Sequence, residues 1–147
     1  MAKRRKKKKI VEKTDVNKNE LATQIEKIAV GLYYISETDA EIFPFSGNKA
    51  EIVSVEEILK QTASAADTAV EERDFNEFFA RLTEMQDWFG DEETATANKF
   101  AELKKLLEDN LRYLKVFKIG KIELDIYIVG LDVESNLIGI KTKAVET

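Results

Sequence analysis

The sequence contains no cysteine and no histidine, a single proline, a single tryptophan and only six glycines in 147 residues. Without cysteine there is no disulfide staple, no thiolate metal site and no thiol nucleophile, and without histidine the usual catalytic base and the commonest metal ligand are missing. Most hydrolase chemistry thereby loses its ordinary parts. The glycines are scattered singly, so no glycine-rich phosphate loop occurs in a usual spacing and nucleotide binding has no support. No stretch approaches the roughly 18 apolar residues of a membrane span. The basic start runs into Ile10-Val11-Glu12 rather than into a signal peptide's apolar region. The expected address is the cytoplasm.

What is present suits one ordinary domain with a tail, because 44% hydrophobic and 35% charged residues provide a core and a solvated surface. Charge is unevenly placed. Lys3, Arg4, Arg5, Lys6, Lys7, Lys8 and Lys9 are seven of the 23 basic residues, which leaves 16 against 28 acids, a net of −12, for the rest. So acidic a body repels nucleic acid and membrane surfaces and attracts a partner with a positive cleft. Residues 1–18 read as a disordered basic tail, since blocks of like charge seldom fold, and residues 19–147 as the domain. The tail also offers phosphate or anionic-lipid contact.

Asn19 is placed to cap a helix whose apolar residues Leu21, Ile25, Ile28, Ala29 and Leu32 carry it to about Tyr34. Ser36 to Ala40-Glu41 reads as a polar loop, Ile42-Phe43-Pro44-Phe45 as an edge strand, and Ser46-Gly47-Asn48 as its turn. Ser54 with Glu57 is a capping-box pattern for a short helix to about Gln61, and Asp74 with Glu77 caps another over Phe75, Phe78, Phe79 and Leu82. Thr68 to Arg73 between them suits a strand. Asp91-Glu92-Glu93 opens the longest helix, to about Arg112. The period then changes to two, with Ile122, Leu124, Ile126 and Ile128 alternating with more polar neighbours, flanked by Val116 to Ile119 and Leu137 to Lys143. Three such runs joined by turns form a C-terminal antiparallel β-meander, and helices followed by a meander make an α+β fold.

Glu123 and Asp125 share a strand face, as a metal pair or an acid and base pair would, but a solvated sheet face is the commoner meaning of that spacing. Three other features carry more. Trp88 stands in Met85-Gln86-Asp87-Trp88-Phe89-Gly90 between two helices, either as a lid over the core or as an interface anchor. Glu37 offers a carboxylate from an acidic loop. Thr147 brings a hydroxyl and a carboxylate just after a strand, oxygen donors of the type Mg²⁺ accepts, although most chain ends are frayed.

Gln86-Asp87-Trp88, the Asp91-Glu92-Glu93 helix start, the run Val116-Phe117-Lys118-Ile119-Gly120-Lys121-Ile122-Glu123-Leu124-Asp125-Ile126-Tyr127-Ile128-Val129-Gly130 and the ending Gly139-Ile140-Lys141-Thr142-Lys143-Ala144-Val145-Glu146-Thr147 resemble the NuiA family of sugar-non-specific nuclease inhibitors. The likeness includes the first helix and Ile35-Ser36-Glu37, and it covers about Glu20 to Thr147. It implies a three-layer α/β/α sandwich without catalysis or cofactor of its own. Members block a secreted, Mg²⁺-dependent ββα-metal endonuclease that cuts DNA and RNA. By this resemblance Glu37 pairs with an arginine of the nuclease active site, Gln86 and Trp88 belong to the interface, and Thr147 reaches the catalytic Mg²⁺ of the bound nuclease. Glu146 receives no role. A one-to-one complex with the nuclease is expected, and a monomer when free. The competing expectation is a non-inhibitory interaction domain whose basic tail contacts nucleic acid or anionic surfaces.

Overall fold

The computed structural model describes residues 18–147, so the basic run lies outside the described residues. Helix α1, Lys18–Ala29, buries Leu21, Ile25 and Ala29. Asn19, expected as its cap, lies within it and accepts the Thr23 hydroxyl at 3.0 Å. The helix also stops well before Tyr34. Gly31 takes the left-handed φ of 74° that closes helices, and the Leu32 amide bonds back to Ala29 at 2.9 Å. Leu32 is still buried, so the apolar spacing outlasts the helix that produced it.

The chain leaves that cap extended. Tyr33–Ile35 forms β1 and pairs antiparallel with β2, Asp39–Glu41, so most of the expected polar loop is a tight hairpin with Glu37 at its tip. Strand β3, Phe43–Lys49, follows at a sheet edge, where the missing N–H of Pro44 is tolerated. Ser46-Gly47-Asn48, expected to turn, stays in this strand with a register shift between Ser46 and Lys49. The side chain of Gln61 holds the irregularity, accepting the Asn48 amide at 2.7 Å and donating to the Asn48 carbonyl at 3.1 Å.

Both expected caps are made. Ser54 accepts the Glu57 amide at 3.1 Å at the start of α2, Val55–Gln61, and Asp74 accepts the Glu77 amide at 3.0 Å at the start of α3, Phe75–Thr83. Between them Val70–Arg73 is strand β4. Helix α4, Asp91–Asn110, ends before Arg112 because Leu111 turns extended and Arg112 already pairs with Leu131 in the sheet. The remainder is the expected meander: β5, Arg112–Gly120; β6, Glu123–Leu131; β7, Asn136–Val145. The five-stranded sheet has the order β3-β7-β6-β5-β4 and is antiparallel throughout, so the protein is a mixed α+β structure.

Both faces of this sheet are covered. Val116, Leu124, Ile126, Ile128, Ile138 and Ile140 pack with Phe75, Phe79, Phe100, Leu103 and Leu107 of α3 and α4 and with α1. Phe117, Ile119, Val129, Leu131 and Leu137 pack on the opposite face with Ile58 and Leu59 of α2. The residues alternating with Leu124 and Ile126 therefore face solvent only at the outer end of β6, where Asp125 bonds Lys143 at 2.7 Å. That contact gives the Glu123 and Asp125 spacing the ordinary meaning of a wet strand end.

Three substitutions probe this architecture by urea unfolding. Phe79→Ala removes a fully buried ring and is expected to cost about 3–5 kcal/mol. Asp74→Ala removes the α3 cap and is expected to cost about 1 kcal/mol. Gly139→Ala is expected to be poorly folded, because a Cβ there would overlap the Ile128 carbonyl of the paired strand.

Candidate functional site

The hairpin tip is built from a local turn and then fastened to β7. The Ser36 amide bonds the Thr38 carbonyl at 2.9 Å, closing the turn around Glu37. Ser36 Oγ then accepts the Val145 amide at 3.0 Å, and the Glu37 amide donates to the Val145 carbonyl at 3.2 Å. Further along β2 the Thr142 hydroxyl bonds the Glu41 carbonyl at 2.8 Å. The small hairpin is thus docked along the last strand.

Past the end of β7 the chain stays engaged. The Glu146 amide donates to the Ile122 carbonyl at 2.9 Å, and its carboxylate meets the Lys118 ammonium at 3.0 Å. Thr147 turns the other way. Its amide donates to Glu37 Oε2 at 2.7 Å, and its hydroxyl lies 2.9 and 3.0 Å from the two Glu37 oxygens. Glu37 and Thr147, 110 residues apart in sequence, form one polar unit. These bonds favour the charged carboxylate and hold the Glu37 carboxyl below the ordinary glutamate range.

Trp88 occupies the connection between α3 and α4 with 72% of its surface exposed, so it is not a lid over the core. Its indole meets the Phe89 ring edge-on, with centroids 4.7 Å apart. The loop is fixed beneath it by the Phe89 amide bonding the Gln86 carbonyl at 3.1 Å and by the Gly90 amide bonding Glu93 Oε1 at 3.0 Å. Gln86 is exposed. A large aromatic held outward on a tied loop is the geometry of an interface anchor.

Two grooves flank the hairpin, and one of them reaches this loop. One, of about 500 Å³, has Trp88, Phe89, Arg81, Leu82 and Ile35 in its walls. The other, of about 340 Å³, shares Ile35, Arg81 and Leu82 and adds Tyr34, Phe78 and Lys118. Exposed Ile35, two residues before Glu37, therefore borders both. The Tyr34 hydroxyl is held above the ordinary tyrosine range, first by burial and second by the charge of Glu146. Lys118 and Glu146 carry no signal in the linear sequence, since one lies within an apolar strand and the other beside the final residue. Among the described residues no group of three or more Asp or Glu side chains is arranged to hold a metal ion, and no helix is long and apolar enough to cross a membrane.

An exposed aromatic on a tied loop and a tied carboxylate are carried on a domain of mixed α+β fold. Residues 19–147 match the family model of the nuclease A inhibitor-like proteins, NuiA, and the chain belongs to that family of nuclease inhibitor-type proteins. No curated protein matches the chain.

The Glu37 contact has a pH signature. Because the folded pKa is depressed, the Thr147 contact contributes stability above the ordinary glutamate pKa and loses it as pH falls through the folded value. NMR titration of the Glu37 side chain is expected to show that depression in the intact protein and its relief when Thr147 is deleted. An unchanged titration would show that the contact is not formed in solution.

Proposed function

We propose that residues 19–147 form an inhibitor of a Mg²⁺-dependent, sugar-non-specific ββα-metal endonuclease, and that Glu37, Gln86, Trp88 and Thr147 carry the contact. The observation that carries this reading is the direct pairing of Glu37 with Thr147, residues that the family resemblance assigns to one target site. The acidic body draws the domain to a cleft made positive for phosphate. There the Glu37 carboxylate takes the place of a substrate phosphate against an arginine, the strongest ion-pair geometry available to it. A carboxylate has about four lone-pair positions, so the bonds from Thr147 leave room for a guanidinium. Thr147 sits beside it with oxygen donors of the type that Mg²⁺ accepts, directed to the metal of the bound nuclease. Trp88 packs against the partner from its loop, with Gln86 beside it.

Under this reading the complex is one-to-one, the free protein is a cytoplasmic monomer, and the domain needs neither cofactor nor catalysis. The cores on opposite faces of the sheet support the three-layer α/β/α arrangement of the family. A second reading rests on the basic run Lys3 to Lys9: a non-inhibitory interaction domain whose tail, residues 1–18, seeks nucleic acid or anionic surfaces. Deleting that run is then expected to abolish a strongly salt-dependent DNA affinity, whereas nuclease inhibition does not depend on it.

The test is inhibition of ββα-metal nucleases on plasmid DNA. Stoichiometric inhibition by the intact protein is expected, with weakening when Thr147 is deleted. Trp88→Ala and Glu37→Gln are each expected to lose about 2 kcal/mol or more of binding, the range of interface hot spots. Near-native inhibition by both single variants would refute the assignment of these residues, and no inhibition across several such nucleases would favour the second reading.

A further inference from the structure

We propose that the Lys118–Glu146 ion pair is the positioning device of this site, anchoring the chain one residue before Thr147 and so holding Thr147 against Glu37. The inference rests on the inhibitor reading for its functional consequence, while its structural content stands on the contacts themselves. A segment that has left its ladder is mobile unless something ties it, and the last ladder residue here is Val145. Beyond it, among the described residues, Thr147 bonds exposed Glu37, whose own side chain has several rotatable bonds. Two flexible exposed groups do not organise each other without a fixed point nearby.

Glu146 is that fixed point. Its backbone amide is tied to Ile122, and its carboxylate reaches Lys118, whose side chain is only 10% exposed near the C-terminal end of β5. Lys118 points to the face covered by α3, in the groove walled by Tyr34 and Phe78. An ammonium in such a place strongly requires a carboxylate. The acids lining that groove are Asp74, engaged in capping α3, and Glu77, and neither pairs with Lys118; among the described residues the carboxylate within ion-pair reach of Lys118 is that of Glu146. Neighbouring residues of an extended chain point to opposite sides. With Glu146 drawn to Lys118, Thr147 is thereby turned toward the hairpin tip. Lys118 acts through Glu146 and is a positioning residue.

The test compares the full-length wild-type chain with Lys118→Met and Glu146→Gln. The first keeps the stem and removes the buried charge, so it remains informative where Glu146→Gln, which strands an ammonium, fails to fold. Order at Thr147 is read at one pH from the ¹⁵N heteronuclear NOE and shift of its amide, and nuclease inhibition is measured in parallel. The expected result is a Thr147 amide as rigid as the strands in wild type and mobile in the variants, with other amides unchanged and inhibition weakened about tenfold, roughly 1.4 kcal/mol in binding. A Thr147 amide that stays ordered in Lys118→Met would overturn the proposal, as would full inhibition with a mobile Thr147. If wild type inhibits no nuclease, the inhibitor reading fails while the order of Thr147 still decides the anchor.

Discussion

Strand β7 is the element on which the molecule depends. It is bonded along one edge to β6 and along the other to β3, so it lies inside the sheet rather than at its rim. Its side chains enter both cores, Ile138 and Ile140 on one and Leu137 on the other. The same strand receives the small hairpin through Thr142 and Val145 and then runs on to Glu146 and Thr147. A strand saturated on both edges cannot slip in register without exposing one core and breaking two ladders. The position of the final residues is consequently set by the most constrained part of the fold.

This constraint explains how an exposed site is kept ordered. The groups proposed to meet a partner lie at the surface, where single ion pairs and hydrogen bonds contribute little. Each is backed by something less mobile: Glu37 by the closed turn and Val145, Thr147 by Glu146 and the buried Lys118, and Trp88 by a loop tied at Gln86 and Gly90. Binding then spends less on ordering loops and side chains. A surface arranged in this way needs no chemistry of its own to block another protein's site. It needs charges and an aromatic anchor held where the partner's groups are.

Much of the architecture was legible as pattern. The Ser54 and Asp74 caps and the meander are written in short stretches whose local chemistry agrees with the final fold. The departures arose where a local pattern was overruled, in one case by a neighbouring residue and in the other by a tertiary contact. Leu32 extends the helical stripe of α1 although Gly31 has ended the helix, and Ser46-Gly47-Asn48 has turn composition but is kept in β3 by Gln61. The β1–β2 hairpin carried a weaker signal, the β-forming trio Tyr33-Tyr34-Ile35 after a helix-stopping glycine. Trp88, Glu37 and Thr147 stood out in the sequence as a loop aromatic, a loop carboxylate and a set of oxygen donors, but Gln86 and the role of each came from resemblance to a family, because nothing in a lone loop glutamate or threonine states what it meets.

The sequence by itself determined which residues are apolar, at what period, and where the helices α2 and α3 begin, since these depend on neighbours a few positions apart. It also set the acidic character of the body. Only the tertiary structure decided that Glu37 meets Thr147, that Lys118 meets Glu146, and that α2 covers the inner part of the second face of the sheet. Those outcomes join residues as many as 110 positions apart, and which of many polar groups become neighbours is settled only when the sheet order brings strand ends together. Periodicity states which face a side chain takes, and the packed sheet alone states what lies opposite it.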